Sequence, residues 1–129
     1  MRKIVFGILA IGLLVVSCIN QKQDGVVVAS PEAFEQKMNE PEVQVVDVRT
    51  TSEYVDGHIS NATNIDVLQS DFKEKVASLD KEKPVMVYCK IGGRSAKAAT
   101  ILKEMGFKDV TDLEGGFTAW KSAGKGIEE

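Results

Sequence analysis

Soft metal ligands are scarce in this chain, whose 129 residues hold two cysteines, Cys18 and Cys89, and one histidine, His58. Long basic runs are missing too, and a formal net charge of −3 leaves no electrostatic footprint for nucleic acid. There is no internal repeat and no low-complexity segment, so the chain is neither a repeat array nor a biased tail. Its length suffices for one domain with a real core and is too short for two comfortable ones.

The one long hydrophobic run lies at the N-terminus. Arg2 and Lys3 precede an apolar stretch from Ile4 to Val16. That is the length of a signal-peptide core and too short to span a bilayer comfortably. Val15-Val16-Ser17-Cys18 follows, and it resembles the lipobox of bacterial lipoproteins. The resemblance implies cleavage before Cys18 and lipidation of that cysteine. Residues 1–17 then read as a lipoprotein signal peptide, 18–25 as a lipid-anchored tether and 26–129 as the domain. The implied location is the bacterial cell envelope, on its periplasmic or surface face, with the membrane as partner through Cys18. Cys89 is left as the sole free thiol. An internal disulfide cycle is excluded for want of a resolving cysteine, and one cysteine with one histidine makes no zinc site. No metal or cofactor is expected.

Cys89 sits where chemistry is favoured. Pro84-Val85-Met86-Val87-Tyr88 reads as a buried strand, and Ala96, Ala98, Ala99, Ile101, Leu102 and Met105 recur at helical spacing beyond it. Between them lies Cys89-Lys90-Ile91-Gly92-Gly93-Arg94-Ser95. The first amides of a helix lack internal partners and carry partial positive charge, so anions bind there. Two glycines let the loop aim several amides inward. Lys90 and Arg94 add full charges. Together these favour a reactive thiolate over a structural, buried cysteine.

The rest of the domain alternates strands with helices. Val26–Val28 is a strand; Ser30-Pro31-Glu32 opens a helix running to about Met38. Val43–Val48 is a second strand that ends in Asp47-Val48-Arg49, where Asp47 and Arg49 form an ion pair with Arg49 able to reach Glu53. Thr51 or Ser52 caps a short helix over 53–56. Asn64–Asp66 is extended, Ser70-Asp71 caps a helix from Phe72 to Leu79, Asp109–Leu113 is a strand, and Phe117–Ser122 is a last helix after the Gly115-Gly116 turn. This order predicts an α/β domain with a mostly parallel sheet, whose functional crevice lies at the carboxyl ends of its strands.

Val46-Asp47-Val48-Arg49, Glu53-Tyr54, Gly57-His58-Ile59, Asn64-Ile65, Tyr88-Cys89 with Gly92 and Arg94-Ser95, Gly106-Phe107, and Leu113-Glu114-Gly115-Gly116 with Trp120 together resemble the motif series of a single-domain rhodanese. The resemblance runs through residues 26–126. It implies a three-layer domain with a central five-stranded, mostly parallel sheet flanked by helices. It also implies a sulfurtransferase in which Cys89 carries sulfane sulfur as a persulfide. The donor would be a small anionic species, thiosulfate or polysulfide, and the acceptor a thiol or cyanide. Lys90 and Arg94 would attract the donor, the amides of Ile91, Gly92, Gly93, Arg94 and Ser95 would hold the persulfide, and Asp47 and Arg49 would support the site. Ser95 is expected to cap the helix, and His58 to be a structural, hydrogen-bonded residue of a turn. Ser60 and Asn61 replace the proline and glycine usual in that turn, and Asn61 suits the left-handed conformation a glycine would take. Four residues separate Cys89 from Arg94, a tighter loop than that of rhodanese-fold phosphatases and one suited to a single sulfur atom. The alternative is a non-catalytic binding or sulfur-carrier module.

Overall fold

The computed structural model describes residues 21–23 and 25–129, so the apolar N-terminal run and Cys18 lie outside the described residues. In chain order the elements are β1 (Gln21–Gln23), β2 (Val26–Ala29), α1 (Pro31–Met38), β3 (Gln44–Asp47), α2 (Thr51–Asp56), β4 (His58–Ile59) and β5 (Thr63–Asn64). There follow α3 (Phe72–Val76), β6 (Val85–Tyr88), α4 (Gly93–Glu104), β7 (Val110–Leu113), α5 (Gly116–Ser122) and β8 (Ile127–Glu128).

The main sheet runs β1-β2-β7-β6-β3-β5. Five strands, β2, β7, β6, β3 and β5, are mutually parallel. β1, within the segment read as a tether, adds an antiparallel edge on β2. β4 and β8 form a separate antiparallel pair, and β8 has no counterpart in the sequence reading.

β6 occupies the middle of the sheet, and all four of its residues are fully buried. Its period-two alternation sends successive side chains to opposite layers. Val85, Val87 and then Cys89 join Phe72 and Val76 of α3 and Ala98, Ala99 and Leu102 of α4 in one core. Met86 and Tyr88 join Phe34 of α1 and Phe117 and Trp120 of α5 in the other. The small alanines of α4 are what let that helix lie close against the sheet. Burying these two apolar faces is what holds the layers together.

Three local readings are revised. Thr50, not Thr51 or Ser52, caps α2, because Thr50 and Glu53 form a reciprocal capping box: Thr50 Oγ1 accepts from the Glu53 amide, and Glu53 Oε1 accepts from the Thr50 amide. α3 stops at Val76, short of Leu79, and the chain leaves through tighter turns closed by Ser78 and Leu79 amides. The extended piece near Asn64 begins at Thr63, and beyond β5 the Ile65 and Val67 amides continue the pairing by donating to the Asp47 and Val48 carbonyls. Ser30 caps α1 as expected, accepting from the Ala33 amide with Pro31 at the first helical position. Asn61 has φ +68°, the left-handed conformation expected of it.

Candidate active site

The carboxyl ends of β3 and β6 meet at one edge of the sheet, with the Val48 amide donating to the Tyr88 carbonyl across them. Cys89 follows β6 directly. It is a free thiol, 1% exposed, and its Sγ lies 3.3 Å from Ser95 Oγ, to which the thiol donates. Ser95 in turn donates its hydroxyl to the Gly92 carbonyl at 3.1 Å. Ser95 therefore does not cap α4. The cap position belongs to Gly92, and Ser95 sits a turn inside, bridging the thiol to the loop.

The loop is held from behind by α5. The Phe117 and Thr118 amides, unpaired within their own helix, donate to the Cys89 and Lys90 carbonyls at 2.8 and 3.0 Å. A trans peptide carries its C=O and N–H on opposite sides. With these two carbonyls facing α5, the Lys90 and Ile91 amides face away from it, toward the layer that holds the Cys89 side chain. Among the described residues, none of the backbone amides from Lys90 to Ser95 has an acceptor in the protein. Gly92, at φ +152°, takes the backbone through a region closed to other residues.

Gly116 makes this approach possible. A β-carbon there would stand 2.6 Å from the Cys89 carbonyl oxygen and from the Lys90 carbonyl group, and φ is +60°. The Gly115-Gly116 pair, legible from sequence only as a turn, is the seat of the cysteine loop.

Asp47 and Arg49 form the expected ion pair, and it is buried. Arg49 Nη2 and Nε reach Asp47 Oδ2 at 2.7 and 3.1 Å, and Nε reaches Oδ1 at 3.0 Å. Tyr88 donates its hydroxyl to Asp47 Oδ2 at 2.7 Å and accepts from the Ile59 amide at 3.0 Å. Burial opposes charge on Arg49, but the hydrogen-bonded Asp47 carboxylate outweighs it and holds the guanidinium above its ordinary value. Burial, with the Asp47 charge behind it, pushes the Tyr88 phenol well up. This network ties β3 to β6 and to the turn after α2, since Arg49 Nη2 also donates to the Gly57 carbonyl at 2.6 Å. Arg49 does not reach Glu53.

Glu53 instead takes Arg94. Nη1 and Nη2 meet Oε1 and Oε2 at 2.7 and 3.0 Å. The Arg94 hydrogen bonds hold the Glu53 carboxyl down at about 2, and Glu53 raises the guanidinium in return. Sequence reasoning left Arg94 free for a substrate and offered Glu53 to Arg49, although Thr50 three residues before it was the signal of a capping glutamate whose carboxylate is fixed in place. Lys90 and Ile91 are exposed, Ile91 by 69%, and Lys90 forms no ion pair among the described residues. A groove of about 350 Å³ runs from Lys90 past Glu53 and Asp56 to Phe117 and Lys121. His58 is a structural, hydrogen-bonded residue as expected, but it opens β4 rather than sitting in a turn: its Nδ1 lies 2.9 Å from the Tyr54 carbonyl, its ring stacks on the Tyr54 ring, and its Nε2 lies 3.5 Å from Glu128 Oε2.

A parallel five-stranded sheet between helices, with a loop of free amides around a buried thiol, agrees with a match over residues 30–123 to the family model described as Rhodanese-like domain. The chain belongs to the rhodanese-like domain family. Among its relatives, it is 42% identical over 82 residues to the protein named thiosulfate sulfurtransferase GlpE of Coxiella burnetii, covering 63% of this chain and 74% of that one. It is 38% identical over 93 residues to the protein of the same name from Pseudomonas paraeruginosa, covering 72% and 82%. In three dimensions it superposes on the crystal structure of a rhodanese-related protein from Thermoplasma volcanium with a TM-score of 0.70 at 30% identity, covering 78% of this chain and 96% of that one.

Proposed function

We propose that the protein is a thiosulfate-type sulfurtransferase that works through a persulfide on Cys89. The observation that carries this is the pairing of a free thiol with six consecutive backbone amides that no acceptor among the described residues occupies. Open donors gathered at the start of α4, beside a buried thiol, form a cradle suited to an anion supplied from outside. The names of the GlpE relatives support thiosulfate as the donor class.

In the first half-reaction the Cys89 thiolate attacks the outer sulfur of thiosulfate; a sulfur–sulfur bond forms, and the original one breaks with its electron pair leaving on sulfite. The outer sulfur of the resulting anionic persulfide takes hydrogen bonds from the loop amides, which need no reorganisation to provide them. In the second, a nucleophilic acceptor such as a thiol or cyanide attacks that outer sulfur, and Cys89 departs as thiolate. Ser95 orients the sulfur, and Lys90 draws the anionic donor. Asp47 and Arg49 act at one remove, fixing the strand ends that carry the loop. Polysulfide would load the same atom by the same displacement.

The N-terminal run and the Val15-Val16-Ser17-Cys18 motif support export with a lipid on Cys18, which would hold the domain at a bacterial envelope membrane. Residues 1–17 would then be lost and 18–25 would connect lipid to domain. Labelling with a fatty acid, abolished by Cys18→Ser, tests this part.

Loading tests the chemistry. The purified chain and its Cys89→Ser variant are incubated with thiosulfate, the intact mass is recorded, and cyanide is added while thiocyanate is followed. A gain of one sulfur on the wild type alone, discharged with turnover, is the expected result. Mass gain without discharge would make the domain a sulfur carrier that awaits a dedicated partner. No gain with thiosulfate or polysulfide would overturn the persulfide mechanism and leave a binding module.

A further inference from the structure

Both terminal nitrogens of Arg94 are committed to Glu53, one to each carboxylate oxygen, at 2.7 and 3.0 Å. Such a fork is the geometry in which a guanidinium binds a carboxylate or an oxyanion most strongly, so the face that could clasp a sulfonate-like group is already occupied. The guanidinium is close enough to Cys89 to feel its charge, and Asp66 lies near it as well. Glu53 is itself fixed, because Oε1 also accepts from the Thr50 amide and hydroxyl at the start of α2. The arginine of the loop is therefore neutralised by a carboxylate that the capping box holds in place. Lys90 remains as the loop cation with no ion-pair partner among the described residues.

Resting on the sulfurtransferase reading, we propose that Glu53 sets the donor specificity of Cys89 by occupying the Arg94 fork, lowering the advantage of a dianionic donor over one with a single charge. Thiosulfate carries two negative charges and meets Lys90 as the open cation of the loop, with Lys121 farther along the groove. An arenethiosulfonate offers the same outer sulfur with one charge fewer, and its displacement by the Cys89 thiolate forms the same persulfide while an arenesulfinate leaves with the electron pair. Each added elementary charge near the donor acts twice on the dianion and once on the monoanion. Glu53 is a specificity-determining, positioning residue here: it acts through Arg94 and touches no reacting atom.

The test compares second-order rates of persulfide formation, read by intact mass, for thiosulfate and benzenethiosulfonate on wild type, Glu53→Gln and Arg94→Gln. Gln at position 53 keeps an Oε1 acceptor for Thr50, so the start of α2 is retained. Release of the fork in Glu53→Gln is expected to speed thiosulfate loading about tenfold and to raise the thiosulfate-to-benzenethiosulfonate rate ratio by roughly threefold, while Arg94→Gln, which bares the Glu53 carboxylate, slows thiosulfate. If Glu53 merely orients Arg94 for the donor, Glu53→Gln slows thiosulfate, and the proposal is overturned. An unchanged ratio overturns it equally. A reading that does not depend on either variant's folding comes from Lys90→Gln combined with Lys121→Gln. With the fork occupied, loss of both lysines should abolish most of the ionic-strength dependence of thiosulfate loading, and a steep dependence that survives it counts against an occupied Arg94. Failure of both donors to load wild-type Cys89 would instead sink the sulfurtransferase reading itself.

Discussion

Replacing Gly116 by alanine should damage the cysteine loop from behind, although Gly116 contributes no group to it. The β-carbon would stand 2.6 Å from the Cys89 carbonyl oxygen, where ordinary contact begins at 3.4 Å, so α5 and the loop must part by roughly 0.8 Å. That separation stretches the Phe117 amide bond to the Cys89 carbonyl and the Thr118 bond to the Lys90 carbonyl, now 2.8 and 3.0 Å, at about 1 kcal/mol each. The left-handed backbone at φ +60° adds about 1–2 kcal/mol for a residue with a side chain. The sum is about 3–4 kcal/mol of stability, read as a lower midpoint in urea unfolding with the slope unchanged. Displacing a reacting group by nearly 1 Å costs on the order of 10–100-fold in rate, so sulfur loading of Cys89 should fall by that much even at temperatures where the variant is folded. Gly93→Ala is the control: its side chain meets open space at the first helical position, and it should raise stability by about 0.5–1 kcal/mol. Wild-type midpoint and loading rate in Gly116→Ala would refute the reasoning.

Asp112, in the middle of the sheet on β7, has a buried Oδ1 without a hydrogen-bond partner. Burial pushes its carboxyl up to about 6. Because the folded value lies above the unfolded one, this group's contribution is complete below about pH 4 and lost as pH rises through 6, so Asp112→Asn should stabilise by about 2–3 kcal/mol at pH 7 and by little at pH 4, checked by urea midpoints at the two pH values. Tyr88→Phe strands the buried Ile59 amide and removes one of three donors to Asp47 Oδ2, and should cost about 1–3 kcal/mol in the same assay while leaving Cys89 able to load sulfur. Ser95→Ala removes the acceptor of the Cys89 thiol; loading should slow about tenfold, with stability changed by no more than about 1–2 kcal/mol. A mass-spectrometric time course separates the two effects.

The order of strands and helices was legible because apolar runs, caps and glycines carry local signals. Pro31 behind Ser30, the unbroken run before Cys89 and the alanine-rich repeat after it each declare their element by spacing alone. Cys89 was legible as well, since a strand end, two glycines and a helix start are all contiguous with it. Some misreadings were local, the caps of α2 and α4 and the end of α3 among them, but those that govern the site's ion pairs fell where the partner lies far along the chain. Glu53 and Arg94 are 41 positions apart, as are Asp47 and Tyr88. Ion-pair choice between Arg49 and Arg94 turns on which strand ends are neighbours, and a periodic pattern contains no such information.

Sequence alone determined that the chain alternates strands and helices, that Cys89 stands at a strand-to-helix junction, and that an apolar run from Ile4 to Val16 lies just before Cys18, because each of these rests on residues adjacent in the chain. Tertiary structure alone decided that α5 grips the carbonyls of the cysteine loop, that Gly116 must lack a side chain for it to do so, and that Glu53 holds Arg94. Those contacts exist only once β6 lies between β3 and β7, which brings α2, the loop and α5 to one edge of the sheet.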